Sequence, residues 1–125
     1  MVEGLGVDIV EIKRIEQALK KWGSPFLKKI FTEREIEYAT NRKIKYQHFA
    51  ARFAAKEAVY KAFGGDNGLN VEWKNIEILN EKNGKPVVEL HDKAMILKKK
   101  QHIKKIIISL SHTKNYAVGT AILVK

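Results

Sequence analysis

The chain has no cysteine among its 125 residues, which excludes disulfides, thiolate zinc sites and a cysteine nucleophile. Acidic residues are scarce: 14 Asp and Glu stand against 24 Lys and Arg, for a formal net charge of +10 and a pI near 9.8. That balance favours anionic partners, whether nucleic acid, acidic proteins, phosphorylated cofactors or a membrane surface, and charge alone does not choose among them. No apolar run approaches the ~20 residues that span a bilayer, so no membrane segment is expected. The opening MVEGLGVDIVEI has no basic stretch and does not read as a signal peptide; the cytosol is the expected compartment. Repeats, low-complexity segments and Pro/Gly/Ser linkers are also lacking, and residues 1–125 read as a single domain.

What is present is 45% hydrophobic sequence, enough for a modest core that oligomerisation would supplement. Val2–Val10 reads as a strand. Ile12, Ile15 and Leu19 give helical spacing over Ile12–Lys20, broken by Gly23, Ser24 and Pro25. Thr32 and Glu35 fit a capping box, so a short helix is predicted from about Glu33. Tyr46–Phe63, rich in alanine, is the strongest helix and stops at Gly64 and Gly65. Val71–Leu79 and Pro86–Leu90 read as strands joined through Asn83-Gly84, Asp92 to about Lys100 as a helix, and Ile106–Leu110 with Tyr116–Val124 as a second hairpin. The expected class is α+β: a small, mostly antiparallel sheet packed with one long and several short helices.

Two acids sit in apolar company. Asp8 lies between Val7 and Ile9, either as a solvent-facing edge acid or held for a purpose, because unpaired buried charge is costly. Glu57 lies in FAARFAAKEAVYKAF, where Glu57 and Lys61 match a routine surface pair, yet the helix is too apolar to be mostly exposed. Arg52, Lys56 and Lys61 with Glu57 suggest a basic stripe carrying one acid, able to bind phosphates while two hard carboxylates hold Mg²⁺. Ser109, Ser111, His112 and Thr113 cluster near the last turn. They do not make a hydrolase, since no G-x-S-x-G elbow exists; they read as turn chemistry or as an anion-binding tip. The Lys98–Lys105 run reads as a solvated helix end.

Three segments together, GVDIVEIKRIE at 6–16, FAARFAAKEAVYKAFG at 49–64 and SLSHTKNYAVGTAILV at 109–124, are similar to the holo-acyl-carrier-protein synthases, the short AcpS type of 4′-phosphopantetheinyl transferase. NIEILNEKNGKPVVEL at 75–90 fits the region between them. The resemblance implies the 4′-phosphopantetheinyl transferase fold and transfer of phosphopantetheine from coenzyme A to a serine of an acyl carrier protein. It implies Asp8 and Glu57 as Mg²⁺ ligands, and Glu57 and Lys61 as catalytic groups. Lys61, Arg52, His112 and, by a looser match, Lys43 are implied near the coenzyme A phosphates, Arg14 toward the carrier protein, and a homotrimer with sites shared between subunits. A nucleic-acid-binding module is the rival reading, but no RRM-type aromatic motif or KH glycine loop supports it. A non-enzymatic interaction domain explains the charge but not the two acids.

Overall fold

A computed structural model describes residues 1–65 and 68–125. Strand β1 (Val2–Glu11) leads into α1 (Ile12–Ile30), α2 (Glu33–Thr40) and α3 (Lys45–Ala62). Then follow β2 (Ile76–Asn80), β3 (Pro86–Leu90), α4 (Asp92–Lys100), β4 (Lys105–His112) and β5 (Tyr116–Val124). The strands form two antiparallel sheets, ordered β1-β5-β4 and β2-β3. The α+β class and the long helix α3 are as the sequence predicts, while α1 runs on to 19 residues across a kink at Gly23.

Helix α3 lies across the β1-β5-β4 sheet because both surfaces are nearly bare of side chains. Ala50, Ala51, Ala54, Ala55, Ala58 and Ala62 line the helix, and all are buried. Glycines face them: a Cβ on Gly6 would lie 1.9 Å from the Ala58 carbonyl oxygen, and one on Gly119 would lie 2.5 Å from the Ala55 nitrogen. Beyond this contact, Val59, Ile76, Ile78, Leu90, Leu97, Ile108 and Leu123 close the main core. Phe31, Phe49 and Ala39 close a second cluster under α1 and α2.

Two local predictions need correction. The break at Gly23 is real, with φ 68° and ψ −155°, but a further helical turn resumes behind it and runs to Ile30. Pro25 sits in the opening turn of that second segment, where its missing N–H costs no helical bond. The strand predicted from Val71 begins only at Ile76. Trp73–Asn75 form a 3₁₀ turn instead, because Asn75 Oδ1 accepts the Glu72 N–H at 2.9 Å and Lys56 Nζ donates to the Trp73 and Ile76 carbonyls. The Thr32–Glu35 capping box forms as expected.

The outer face of the three-stranded sheet carries an apolar patch along β1, while Thr120, Ser109 and Ser111 make its β5–β4 side more polar. Leu5, Val7 and Ile9 are each more than half exposed, and Ile107 adds to the same side through the β4–β5 and β1–β5 registers.

Candidate active site

Alternation along β1 turns Gly4, Gly6, Asp8 and Val10 toward α3. Asp8 is therefore not an exposed edge acid: its side chain is 15% exposed and lies beside the C-terminal half of α3. There Lys61 Nζ donates to Asp8 Oδ1 at 2.9 Å and to the Val7 carbonyl at 3.3 Å. Glu57, one turn before Lys61, is half-buried. Burial pushes its carboxyl above the usual range, the Asp8 charge pushes it further, and Lys61 partly opposes both. The Asp8 hydrogen bond and charge hold Lys61 above its ordinary value. The two neighbouring carboxylates of Asp8 and Glu57 are hard oxygen donors of the kind a divalent cation takes, and Lys61 stands beside them as a fixed positive charge. A cleft of about 270 Å³ opens beside Glu57, lined by Tyr60, Val71, Trp73 and Ile76. A larger one of about 510 Å³, beside Phe31, Ile36 and Lys74, holds none of the predicted site residues.

The expected basic stripe on α3 does not form. Lys56 is fully buried and pairs with the equally buried Glu35 at 2.8 Å, while burial pulls its ammonium below the ordinary value. Arg52 is only 3% exposed. Its guanidinium lies 3.9 Å from the Tyr38 ring centre and donates to Asn80 Oδ1, while its Nε has no hydrogen-bond partner among the described residues. Burial lowers its pKa against the opposing pull of Tyr38 and Glu35. Arg52 and Glu57 also point about 140° apart around the helix, at 3.6 residues per turn. Arg52 belongs instead with His48, one turn earlier, whose ring meets the His112 ring at 6.2 Å and the Tyr38 ring at 5.6 Å.

So the structure gathers the predicted residues into two groups: Asp8, Glu57 and Lys61 on one side of α3, Arg52 and His112 on another. Lys43 lies exposed in the turn before α3, and Arg14 is exposed on α1, 3.9 Å from Glu11. Thr113 Oγ1 accepts the Asn115 and Tyr116 N–H groups, which is the turn role expected of it.

Sequence reasoning missed His48, although its four-residue spacing from Arg52 was a signal. It also missed Glu77, an acid flanked by Ile76 and Ile78 much as Asp8 is by Val7 and Ile9. Glu77, Glu89 and His91 offer ligand atoms within 4.8 Å of one another, a possible metal-binding group. Arg34 already spans both glutamates, at 2.6 Å from Glu77 and 3.3 Å from Glu89. Burial alone would raise the Glu77 pKa, but hydrogen bonds from Arg34, Thr32 and His91 hold it low.

Comparison with known proteins agrees along the whole chain. Residues 4–121 match the family model of the 4′-phosphopantetheinyl transferase superfamily. A holo-[acyl-carrier-protein] synthase of Ruminiclostridium cellulolyticum is 48% identical over 120 residues, covering 95% of this chain and 90% of its own. The crystal structure of the Neisseria meningitidis synthase superposes with a TM-score of 0.90 at 32% identity, covering 100% of both chains. The Bacillus anthracis synthase, solved in complex with CoA (3′,5′-ADP), gives a TM-score of 0.79 at 35% identity, covering 98% of this chain and 96% of that one. The chain belongs to the 4′-phosphopantetheinyl transferase superfamily and, within it, to the holo-[acyl-carrier-protein] synthases.

Proposed function

We propose that this chain is a cytosolic, Mg²⁺-dependent enzyme that transfers the 4′-phosphopantetheine arm of coenzyme A to a serine of an apo-acyl carrier protein, releasing adenosine 3′,5′-bisphosphate. The observation that carries this reading is the meeting of Asp8, Glu57 and Lys61 where β1 crosses α3.

The serine Oγ forms a bond to the phosphorus that bears the pantetheine arm, and the pyrophosphate P–O bond to the nucleotide half breaks. Glu57, half-buried beside Asp8, is the carboxylate that accepts the serine proton. Lys61 is already drawn to this point by Asp8 and sets its positive charge beside the pyrophosphate as negative charge moves to the leaving group. Mg²⁺ held by Asp8 and Glu57 would add charge neutralisation at the phosphate oxygens. Arg52 and His112, with Lys43, hold the nucleotide phosphates, and the exposed Arg14 meets the acidic carrier protein.

The same reading includes a homotrimer with shared sites. Its support is the apolar outer face of Leu5, Val7, Ile9 and Ile107, which a second copy of the chain would cover. The placement of the two residue groups on different sides of α3 fits as well, because one ligand touching both is most simply served by two subunits. Incubation with coenzyme A, Mg²⁺ and an apo-carrier protein should raise the carrier's mass by one phosphopantetheine. Tight RNA binding with a steep salt slope and no mass gain would favour the nucleic-acid module instead.

A further inference from the structure

Among the described residues, a cationic cluster with no carboxylate ion-paired to it surrounds Tyr38. Arg42, in the turn after α2, places its guanidinium 3.4 Å from the Tyr38 ring centre, and Arg52 of α3 places its own at 3.9 Å. His48 of α3 meets the edge of the same ring and, at 6.2 Å, the ring of His112 at the end of β4. These are the charged and titratable groups that face His48 from α2, the following turn, α3 and β4. Among the described residues no carboxylate forms an ion pair with Arg42, His48, Arg52 or His112; Glu35, which favours the charge on Arg52, is already paired with Lys56. Arg52 also keeps a buried Nε–H without an acceptor. Clustered cations and an orphaned buried donor are a standing vacancy for negative charge.

We propose that His48 is the proton-linked member of this phosphate subsite: a phosphate entering beside Arg52 and His112 is accompanied by proton uptake on the His48 imidazole. This rests on the transferase reading, in which the phosphate belongs to the nucleotide half of coenzyme A.

Without a ligand, burial holds the His48 imidazole below its usual range, and the charges of Arg52, Arg42 and His112 hold it lower still. It is therefore neutral near pH 7. A phosphate dianion reverses the field at the ring and favours the imidazolium, which adds a charge-assisted hydrogen bond. The sign follows by linkage. His48 binds more protons in the complex, so donor affinity rises as pH falls toward the range where free His48 is itself protonated. Below about pH 6 the phosphate starts to take up a proton of its own, which sets a lower limit to the gain.

The test is calorimetric titration of the assembled protein with adenosine 3′,5′-bisphosphate between pH 6 and pH 8, in buffers of different ionisation heat. The parent should take up a fraction of a proton on binding near pH 7, and H48Q should lose most of that uptake. From pH 8 to pH 6 the parent should gain several-fold more affinity than H48Q, because a one-unit rise in a bound-state pKa supplies its full factor of about ten only below both pKa values. In proton NMR the His48 midpoint should move up when the bisphosphate is bound, a shift that a purely structural role would not produce. Equal uptake in parent and H48Q, an unmoved midpoint, or no binding of the bisphosphate at all overturns the proposal. A chain that loads carrier protein normally yet shows no His48-linked uptake refutes this inference and leaves the transferase reading standing. A chain that loads no carrier refutes that reading, and the linkage is then measured with inorganic phosphate.

Discussion

Gly6→Ala tests whether the bare contact between β1 and α3 is what aims Asp8 at Glu57 and Lys61. The added methyl would stand 1.9 Å from the Ala58 carbonyl oxygen, 2.8 Å from its carbon and 2.9 Å from the Ala62 nitrogen. All three are backbone atoms of a regular helix, so no side chain can swing aside. Contacts under 3.0 Å are essentially never seen for a Cβ, so β1 must draw back by roughly an ångström. Overpacking of this kind costs about 3 kcal/mol at the upper end of its usual range. In a chain of this size that lowers Tm by roughly 10 °C. Asp8 is two residues along the same strand and moves with it. A misplacement of about 1 Å in reacting groups can cost ~100-fold in rate, so kcat/KM for coenzyme A should fall by about that factor in the fraction that remains folded. Thermal unfolding followed by circular dichroism reads the first number, and transfer at a temperature where the variant is folded reads the second. A variant with parental Tm and parental turnover would refute the argument.

Lys56→Met strands the Glu35 carboxylate in the core and should cost about 3–5 kcal/mol in urea unfolding, whereas E35M/K56M should lose less than the sum of the two single changes. Arg14→Glu should raise KM for the carrier protein and leave KM for coenzyme A and turnover at saturating carrier near parental values, with a defect that shrinks as salt rises. An equal loss with both substrates would place Arg14 in the site or the fold instead. Val7→Lys puts a charge in the centre of the apolar sheet face, and light scattering should report smaller species than the trimer expected of the parent. A parent that is monomeric and fully active at micromolar concentration would remove the shared-site argument.

The meeting of Asp8 and Glu57 is foreshadowed in the sequence because both acids break a local rule. An acid between Val7 and Ile9, and another in an alanine-rich helix, stand out without any knowledge of what they face. The structure adds that strand alternation and the glycines at 4, 6 and 119 bring them together. Lys56 departs from its sequence pattern for the converse reason. Its spacing from Arg52 looks like a surface stripe, and its buried partner Glu35 belongs to another helix, which no local pattern announces. Trp73–Asn75 reads as strand in the sequence but forms a 3₁₀ turn, because its backbone is satisfied by side chains, those of Asn75 and Lys56, rather than by a ladder. His48 was passed over because an imidazole on a long helix gains its meaning from Tyr38 and His112, which arrive from α2 and β4.

The most direct test of the central claim is the mass of an apo-carrier protein after incubation with coenzyme A and the parent, Asp8→Asn or Glu57→Gln chain, across a Mg²⁺ titration. The parent should add one phosphopantetheine per carrier only when Mg²⁺ is supplied. Each variant, folded by circular dichroism, should be slower at limiting Mg²⁺ by a factor worth several kcal/mol of barrier. Near-parental turnover at limiting Mg²⁺ in either variant, or full transfer by the parent in excess chelator, would contradict the assignment of Asp8 and Glu57 as the metal-holding centre.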